Sequence, residues 1–135
     1  MRFILLLIII MSTCANAEGA KIYLDLKSHH FKPKSYYIEN HDLFGIERDR
    51  WLFVRYTNSE GRLSTMIGRR VVWGSFGRFS YGAKYGMVTG YNTKILGDFA
   101  PFGLLNGVIS VNRCINIDIN FIPAVVVSFG MRVDL

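Results

Sequence analysis

The sequence of 135 residues has few of the features that mark common protein classes. It contains two cysteines and three prolines, and it has no low-complexity segment and no stretch resembling a linker. A framework of several disulfides is therefore excluded, and one domain is the simplest interpretation. No long amphipathic pattern with a period of 3.6 residues is present, so the sequence does not predict a helical protein.

The single long apolar run lies at the N-terminus. A basic residue precedes Phe3–Met11, and Ala15–Ala17 ("ANA") forms a small-x-small cleavage site, as in a secretory signal peptide. The run is too short for a transmembrane helix, which needs about 20 residues. A lipoprotein leader with Cys14 as the lipidated residue is a weaker alternative. We expect residues 1–17 to be a signal peptide and residues 18–135 to form one exported domain.

Basic residues are in excess but are not clustered. The formal net charge is +6, and Arg2 in the leader accounts for one of these charges. Because there is no run of Lys and Arg and no nucleic-acid-binding motif, nucleic acid is not the expected partner. For an exported protein, an anionic membrane surface is the neighbour that this charge suggests.

After the leader, apolar and polar residues alternate, as is typical of β-strands. In Ile115–Phe121 ("INIDINF") isoleucine and phenylalanine occupy one face while asparagine and aspartate occupy the other, and Val127–Leu135 repeats the pattern. In a soluble β-sandwich the apolar face would form the core. In a small transmembrane barrel it would face lipid, and polar residues would fill the interior. The alternation alone leaves both possibilities open.

Strand number and loop lengths favour the barrel. The eight candidate strands cover about residues 20–31, 42–48, 51–58, 62–74, 79–91, 104–113, 115–121 and 124–135. An even number of strands can close a sheet without edges. If the N-terminus is periplasmic, the periplasmic turns are short and the two long loops, residues 32–41 and 92–103, lie on the outer side. Trp51 and Trp73 then lie at the periplasmic ends of strands, where an aromatic belt is expected.

We therefore predict an all-β protein, an eight-stranded antiparallel transmembrane β-barrel with short periplasmic turns and longer outer loops. The predicted location is the bacterial outer membrane, as a monomer. A soluble secreted β-sandwich is the alternative. In a narrow barrel, charged residues of the interior are expected to pair with one another. The candidates are Arg48, Arg50, Arg69, Arg70, Glu47, Asp118 and Asp134.

Two adjacent histidines, His29 and His30, lie near the outer end of the first strand. Adjacent residues of a strand point to opposite faces, so they are a poor chelating pair. His29 shares the interior parity of Lys27, whereas His30 shares the lipid-facing parity unless the strand has ended. His41 could add a third ligand, but the spacing typical of zinc sites is missing, and neither a metal nor a cofactor is expected.

The stretch Arg55–Arg62 ("RYTNSEGR") places a serine and an asparagine at the outer end of the third strand. A hydroxyl nucleophile needs a base within hydrogen-bond reach, and a histidine from a neighbouring strand end could supply it. The same residues predict a type I turn, with Asn58 in its first position and Gly61 in its fourth. The turn therefore explains Asn58 and Gly61 without catalysis.

These pieces resemble, in their order, the PagP-type lipid A palmitoyltransferases, eight-stranded outer-membrane barrels that move a palmitoyl chain from a phospholipid to lipid A. A histidine at the end of strand one leads to a polar loop, here "YYIEN", which is similar to the family's Tyr-x-Glu. "TNSEG" stands where the family carries Asp-Ser, and the Gly-containing strand "STMIGRR" follows. Near the end, "INIDINFIP" resembles the family's penultimate strand with its exit at Pro123.

The resemblance implies a site on the outer loops. The family's catalytic histidine maps onto His30, or onto His29 in a different loop alignment, and its serine maps onto Ser59. Its aspartate maps onto Asn58, which is a departure, because an amide cannot supply a carboxylate to a histidine. Ser59 would be the nucleophile or a substrate-positioning hydroxyl, His30 the general base, and Asn58 an orienting or oxyanion-stabilising amide.

Two further departures concern the start of the chain and the barrel wall. The family has an amphipathic helix before strand one, whereas Gly19 here leads almost directly into the strand. The family's wall is opened for lipid entry by prolines. Pro123 matches one of them, but Asn106 stands where another is expected, with Pro101 nearby.

Two functions follow, both with phospholipid and lipid A or lipopolysaccharide as partners. The first is a small outer-membrane barrel that acts on or within the outer leaflet without catalysis, through its loops. The alternative is an active lipid A palmitoyltransferase that moves an acyl chain from phospholipid to lipid A. Lumen glycines such as Gly82, Gly86 and Gly90 would leave room for an acyl chain in the second case.

Overall fold

In a computed structural model of the chain, the alternating segments form eight antiparallel strands that close into a barrel. The structure describes residues 19–32, 34–92 and 96–135, and the predicted signal peptide, residues 1–17, lies outside them. The strands are β1 (Ala20–His30), β2 (Asn40–Arg48), β3 (Trp51–Thr57), β4 (Leu63–Phe76), β5 (Phe79–Val88), β6 (Ala100–Ser110), β7 (Ile115–Ile122) and β8 (Val126–Asp134). The prediction of an all-β fold with eight antiparallel strands is confirmed.

Each strand pairs with its neighbours in sequence, and β1 also pairs with β8 from Lys21–Asp134 to His30–Val126. This last ladder closes the sheet, so the backbone polar groups of both terminal strands are used. None of the described residues forms a helix long and apolar enough to cross a membrane.

The connections differ in length at the two ends of the barrel. At the end that holds both termini, β2 is joined to β3 by Asp49 and Arg50, and β4 to β5 by Gly77 and Arg78. Asp49 and Arg50 both have positive φ, +52° and +68°, as the two central residues of a type I′ hairpin turn require. The opposite end carries the longer loops 31–39 and 89–99, and the predicted asymmetry is therefore present.

Many of the buried side chains are polar or charged, and many large apolar side chains are exposed on the outer face. The buried polar residues include Glu47, Arg70, Lys84, Asn106, Asn116, Asp118, Asn120 and Arg132. The exposed apolar residues include Phe44, Ile46, Trp51, Phe53, Ile67, Trp73, Tyr85, Ile117 and Phe129. A β-sandwich consists of two sheets packed face to face, whereas the strands here form one closed sheet, so the alternative of a soluble β-sandwich is wrong.

Ion pairs occupy the interior toward the short turns. Arg70 Nε lies 3.1 Å from Glu47 Oε1, and the Tyr23 hydroxyl donates to the same carboxylate. Lys84 Nζ donates to Asp118, whose other oxygen accepts from Asn106. Buried charges are tolerated when they are paired and hydrogen-bonded in this way. The predicted pairing is thus present for Arg70.

Arg69, the neighbour of Arg70, lies on the outer face. Its guanidinium carbon is 5.1 Å from the centre of the Trp51 ring, which is an exposed cation–π contact. Adjacent strand residues point to opposite sides of the wall, which separates the roles of the two arginines.

The strand prediction was wrong at β6, which begins at Ala100 rather than near residue 104. Pro101 favours a loop in the sequence because it has no N–H group to donate. In the barrel, Ala100–Leu104 pairs with β5, while the β7 ladder runs only from Leu105 to Ser110. Pro101 is accommodated because this part of β6 has a described strand partner on one side alone.

Candidate functional site

A cavity of about 560 Å³ occupies the interior toward the longer loops. Its walls are mainly apolar, with Leu26, Leu43, Val54, Met66 and Phe102 among the lining side chains. The volume lies within the roughly 300–1,000 Å³ usual for small-molecule sites. Lys84 and Asp118 also line it, so the cavity ends on the ion pairs of the interior. It is therefore an apolar chamber with a charged floor.

His30 and Ser59 meet at this cavity. His30 is the last residue of β1, and Ser59 lies in the turn between β3 and β4, yet Ser59 Oγ is 3.0 Å from His30 Nε2. Both side chains line the cavity, and the His30 ring packs against Tyr37 at a centroid distance of 4.7 Å. The structure brings together the serine and histidine that the sequence proposed as nucleophile and base.

The assignment of interior and exterior histidine was wrong. The His29 side chain is 66% exposed and lies 3.6 Å from Glu39, whereas His30 is buried. The reason is a shift of register between Leu24 and Leu26 in the pairing of β1 with both neighbouring strands. The shift reverses the alternation, so that Tyr23 faces inward before it and His30 faces inward after it.

Asn58 does not meet the expectation that it orients His30 or stabilises an oxyanion. Its Nδ2 group donates to Ser64 Oγ and to the Gly90 carbonyl, both at 3.0 Å. Its Oδ1 accepts from the backbone N–H groups of Glu60 and Arg62. The carbonyl oxygen thus holds the turn, and the amide group ties it to β4 and to loop 89–99, so Asn58 has the structural role that the turn pattern predicted.

The turn 58–62 is held in place by the loop above it. Gly61 N donates to the Asn58 carbonyl, as in the predicted type I turn, and Ile38 N donates to the Ser59 carbonyl at 2.9 Å. The second bond joins loop 31–39 to the turn that carries Ser59. The position of the hydroxyl is thus fixed by two loops at once.

Tyrosines close the outer part of the cavity. The Tyr91 hydroxyl, from loop 89–99, lies 3.3 Å from that of Tyr56 on β3. Burial raises the pKa of Tyr91, so the phenol stays protonated. This side of the chamber offers hydroxyl groups, and the charged Glu60 also lines the cavity.

A second serine–histidine contact lies deeper in the barrel, two residues before His30 on β1, and the sequence analysis did not predict it. Ser28 Oγ is 2.8 Å from His41 Nε2, and His41 Nδ1 is 2.6 Å from the Thr57 carbonyl oxygen. The sequence analysis placed His41 at the end of the loop 32–41, whereas β2 begins at Asn40. The inward position of Ser28 could not be predicted, because the register shift that turns its side chain inward is not visible in the alternation of apolar and polar residues.

The wall beside the cavity is incompletely paired. Ala100–Leu104 has no β7 partner among the described ladders, and no atom lies within 4 Å of the position where a Cβ on Gly103 would stand. Pro101, Phe102, Leu104 and Ile122 line the cavity at this point. The chamber therefore borders a part of the wall that lacks a complete hydrogen-bond ladder.

Comparison with known proteins does not assign the chain to a family. No protein family model and no curated protein matches the chain. Within the described part of the chain, no group of three or more His, Cys, Asp or Glu side chains is arranged to hold a metal ion.

Proposed function

We propose that the protein is an outer-membrane enzyme that moves or hydrolyses an acyl chain of an envelope lipid, with phospholipid and lipid A as the candidate substrates. The observation that carries the proposal is the contact of 3.0 Å between Ser59 Oγ and His30 Nε2 on the wall of an apolar cavity. The resemblance to PagP-type palmitoyltransferases is in accord with it. In that family the corresponding reaction moves palmitate to lipid A.

The barrel surface supports a membrane location. The outward side chains of Phe44, Ile67, Tyr85 and Phe129 are each about half exposed, which is costly in water and favourable in lipid. Trp51 stands exposed beside the short turns, as in an interfacial aromatic belt. An apolar outer face around a charged interior suits a bilayer.

The reaction places an acyl ester at the contact of His30 with Ser59. The acyl chain fills the apolar chamber, entering where β6 and β7 are unpaired, and its carbonyl lies near the outer loops. His30 acts as the general base toward a hydroxyl, and Ser59 is the hydroxyl that it contacts. Asn58 only shapes the turn.

One observation favours a second candidate, a barrel without catalysis. His30 Nδ1 is buried and has no hydrogen-bond partner among the described residues, so no acid holds the ring in one tautomer. In this function loops 31–39 and 89–99 would bind or block another molecule at the cell surface. Lipids of cells that make the protein would then be unchanged.

The test is the mass of lipid A and phospholipids extracted from cells that express the protein. We expect a mass change equal to one acyl chain in lipid A, or the appearance of a lysophospholipid. In Ser59→Ala and in His30→Ala the change should fall by about 100-fold or more, as expected for loss of a general base or its hydroxyl partner.

His29→Ala and Ser35→Ala are the matched controls, because both side chains are exposed at the same end of the barrel. Both should retain the wild-type lipid pattern. Heat-dependent mobility in gels reports whether each variant is folded. A lipid change that survives in folded His30→Ala would contradict the role of His30, and unchanged lipids in the wild type would leave the non-catalytic barrel.

A further inference from the structure

The Ser28–His41 contact differs from the Ser59–His30 contact in one respect that bears on chemistry. A backbone carbonyl can only accept a hydrogen bond, so the contact of His41 Nδ1 with the Thr57 oxygen at 2.6 Å places a proton on Nδ1. In the neutral ring Nε2 is then a lone-pair acceptor. The Ser28 hydroxyl, 2.8 Å away, is therefore the donor in this pair.

This is the arrangement that an activated serine requires. A nucleophilic hydroxyl donates to an imidazole, and a third group orients that imidazole through its other nitrogen. Here the third group is the Thr57 carbonyl, which fixes the tautomer as an acid residue would. His30 has no such partner on its Nδ1 among the described residues.

The pair is also placed where an acyl ester would be. Ser28 and His41 are each 5% exposed, and both line the cavity together with Leu26 and Leu43. Ser28 lies two residues before His30 on β1, which is roughly 7 Å along the strand. The two serine–histidine pairs therefore line one chamber, with Ser28 the deeper of the two.

We propose that Ser28 is a nucleophile that carries the acyl group as a covalent ester, with His41 as its base. The inference rests on the proposed function, because it needs an acyl ester in the chamber. It assigns a step that the Ser59–His30 contact does not supply.

In the first half of the reaction, Ser28 Oγ adds to the acyl carbonyl carbon while its proton moves to His41 Nε2. The bond between that carbon and the oxygen of the lipid alcohol breaks, and the alcohol leaves with the proton from His41. The product is an acyl ester on Ser28. The Thr57 carbonyl holds the imidazolium through Nδ1–H during this step.

In the second half, a water molecule or a hydroxyl of an acceptor lipid attacks the same carbonyl carbon. His30, nearer the outer loops, takes the proton of that hydroxyl, and the bond from the carbon to Ser28 Oγ breaks. His41 Nε2, which has taken up a proton from water, gives it to the Ser28 oxygen, and His30 returns the proton that it took to water. Each half-reaction thus has a base of its own.

The test uses the folded protein in detergent and a fluorophosphonate with a hexadecyl chain, which bonds to an activated serine with loss of fluoride. Peptide mass spectrometry locates the adduct. We expect it on Ser28 of the wild type, with a labelling rate at least about 100-fold lower in His41→Gln. Ser28→Ala should give no adduct at this position.

Ser128 is the internal control in the wild-type protein. It pairs with Ser28 across the β1–β8 ladder and is buried in the same cavity, but the described contacts do not join it to a histidine. It should carry no adduct. Ser28→Cys should form an acyl thioester with lipid substrate, which neutral hydroxylamine cleaves readily, unlike an ordinary oxygen ester.

The position of the adduct in the wild type needs no variant, so misfolding of a mutant cannot hide whether Ser28 or Ser59 reacts. An adduct on Ser59 and none on Ser28 overturns this inference and leaves the proposed function standing. An adduct on Ser28 whose rate is unchanged in folded His41→Gln also overturns it. Labelling of Ser28 in a protein that leaves cellular lipids unchanged supports the nucleophile and contradicts the proposed function.

Discussion

At the scale of single residues, position in the wall decides what each polar side chain can do. His29 and His30 are neighbours in sequence, yet one is exposed beside Glu39 and the other touches Ser59 inside the barrel. Asn58 and Ser59 are neighbours too. The Asn58 side chain donates to Ser64 and to the Gly90 carbonyl and accepts from two backbone N–H groups. The Ser59 hydroxyl, by contrast, contacts a histidine.

Asn58→Asp tests whether Asn58 stands in for a catalytic acid. The carboxylate can still accept from the backbone N–H groups, but it cannot donate to Ser64 or to the Gly90 carbonyl. We expect the free energy of unfolding to fall by about 1–3 kcal/mol, measured by urea denaturation in detergent, with no gain in activity.

Asn92→Asp, an exposed asparagine of loop 89–99, is the control and should leave stability unchanged. If Asn58→Asp instead raised the yield of acylated or deacylated lipid at unchanged stability, a carboxylate at this position would serve His30. The structural assignment of Asn58 would then be wrong.

At the scale of strands, glycines set how closely β4 and β5 approach. A Cβ on Gly82 would stand 1.8 Å from the Val71 carbonyl oxygen, which is backbone and cannot turn aside. Gly68 and Gly86, which pair with each other in the same two strands, have similar conflicts with backbone oxygens. The sequence analysis suggested that Gly82 and Gly86 leave space for an acyl chain. The geometry instead gives Gly82 a role in packing β5 against β4.

Gly82→Ala should therefore destabilise the barrel by about 1–3 kcal/mol, because the added methyl group forces the two strands apart. The midpoint of the heat-dependent gel shift measures this. Gly103→Ala on β6 is the control, since an added Cβ there meets open space. Equal stability of both variants would contradict the packing role of Gly82.

In the complete barrel, the loops, the cavity and the ion pairs lie at different heights along the barrel axis. The termini and the two-residue turns share one end, and the longer loops with both serine–histidine pairs lie toward the other. Buried Lys84, Asp118, Arg70 and Glu47 separate the cavity from the short turns. The cavity is therefore bounded by charged residues toward the short turns and lies nearer the end that carries the longer loops.

The predicted orientation in the outer membrane places the longer loops outside the cell and the two-residue turns in the periplasm. A short epitope tag inserted after Ser35 in loop 31–39 should bind antibody on intact cells. The same tag inserted after Gly77 in the two-residue turn should bind only after the outer membrane is permeabilised. The opposite pattern would place the serine–histidine pairs on the periplasmic side and rule out the outer leaflet as the source of substrate.

The class of fold, the number of strands and the unequal connections could be predicted from the sequence, because a period of two and the spacing of turn residues are local properties. The sequence also named His30 and Ser59. It could not show that they touch, since a contact across 29 residues depends on closure of the sheet and on how loop 31–39 fastens the turn.

Tertiary structure alone decided which histidine faces inward and that Ser28 meets His41. Both follow from a shift of register between Leu24 and Leu26, which arises from how β1 fits two neighbours at once. A one-residue shift exchanges the two faces of a strand. Such a shift cannot be predicted from the alternation of residues within a single strand. Pairing between strands, rather than the order of residues within one, therefore set the chemistry of the interior.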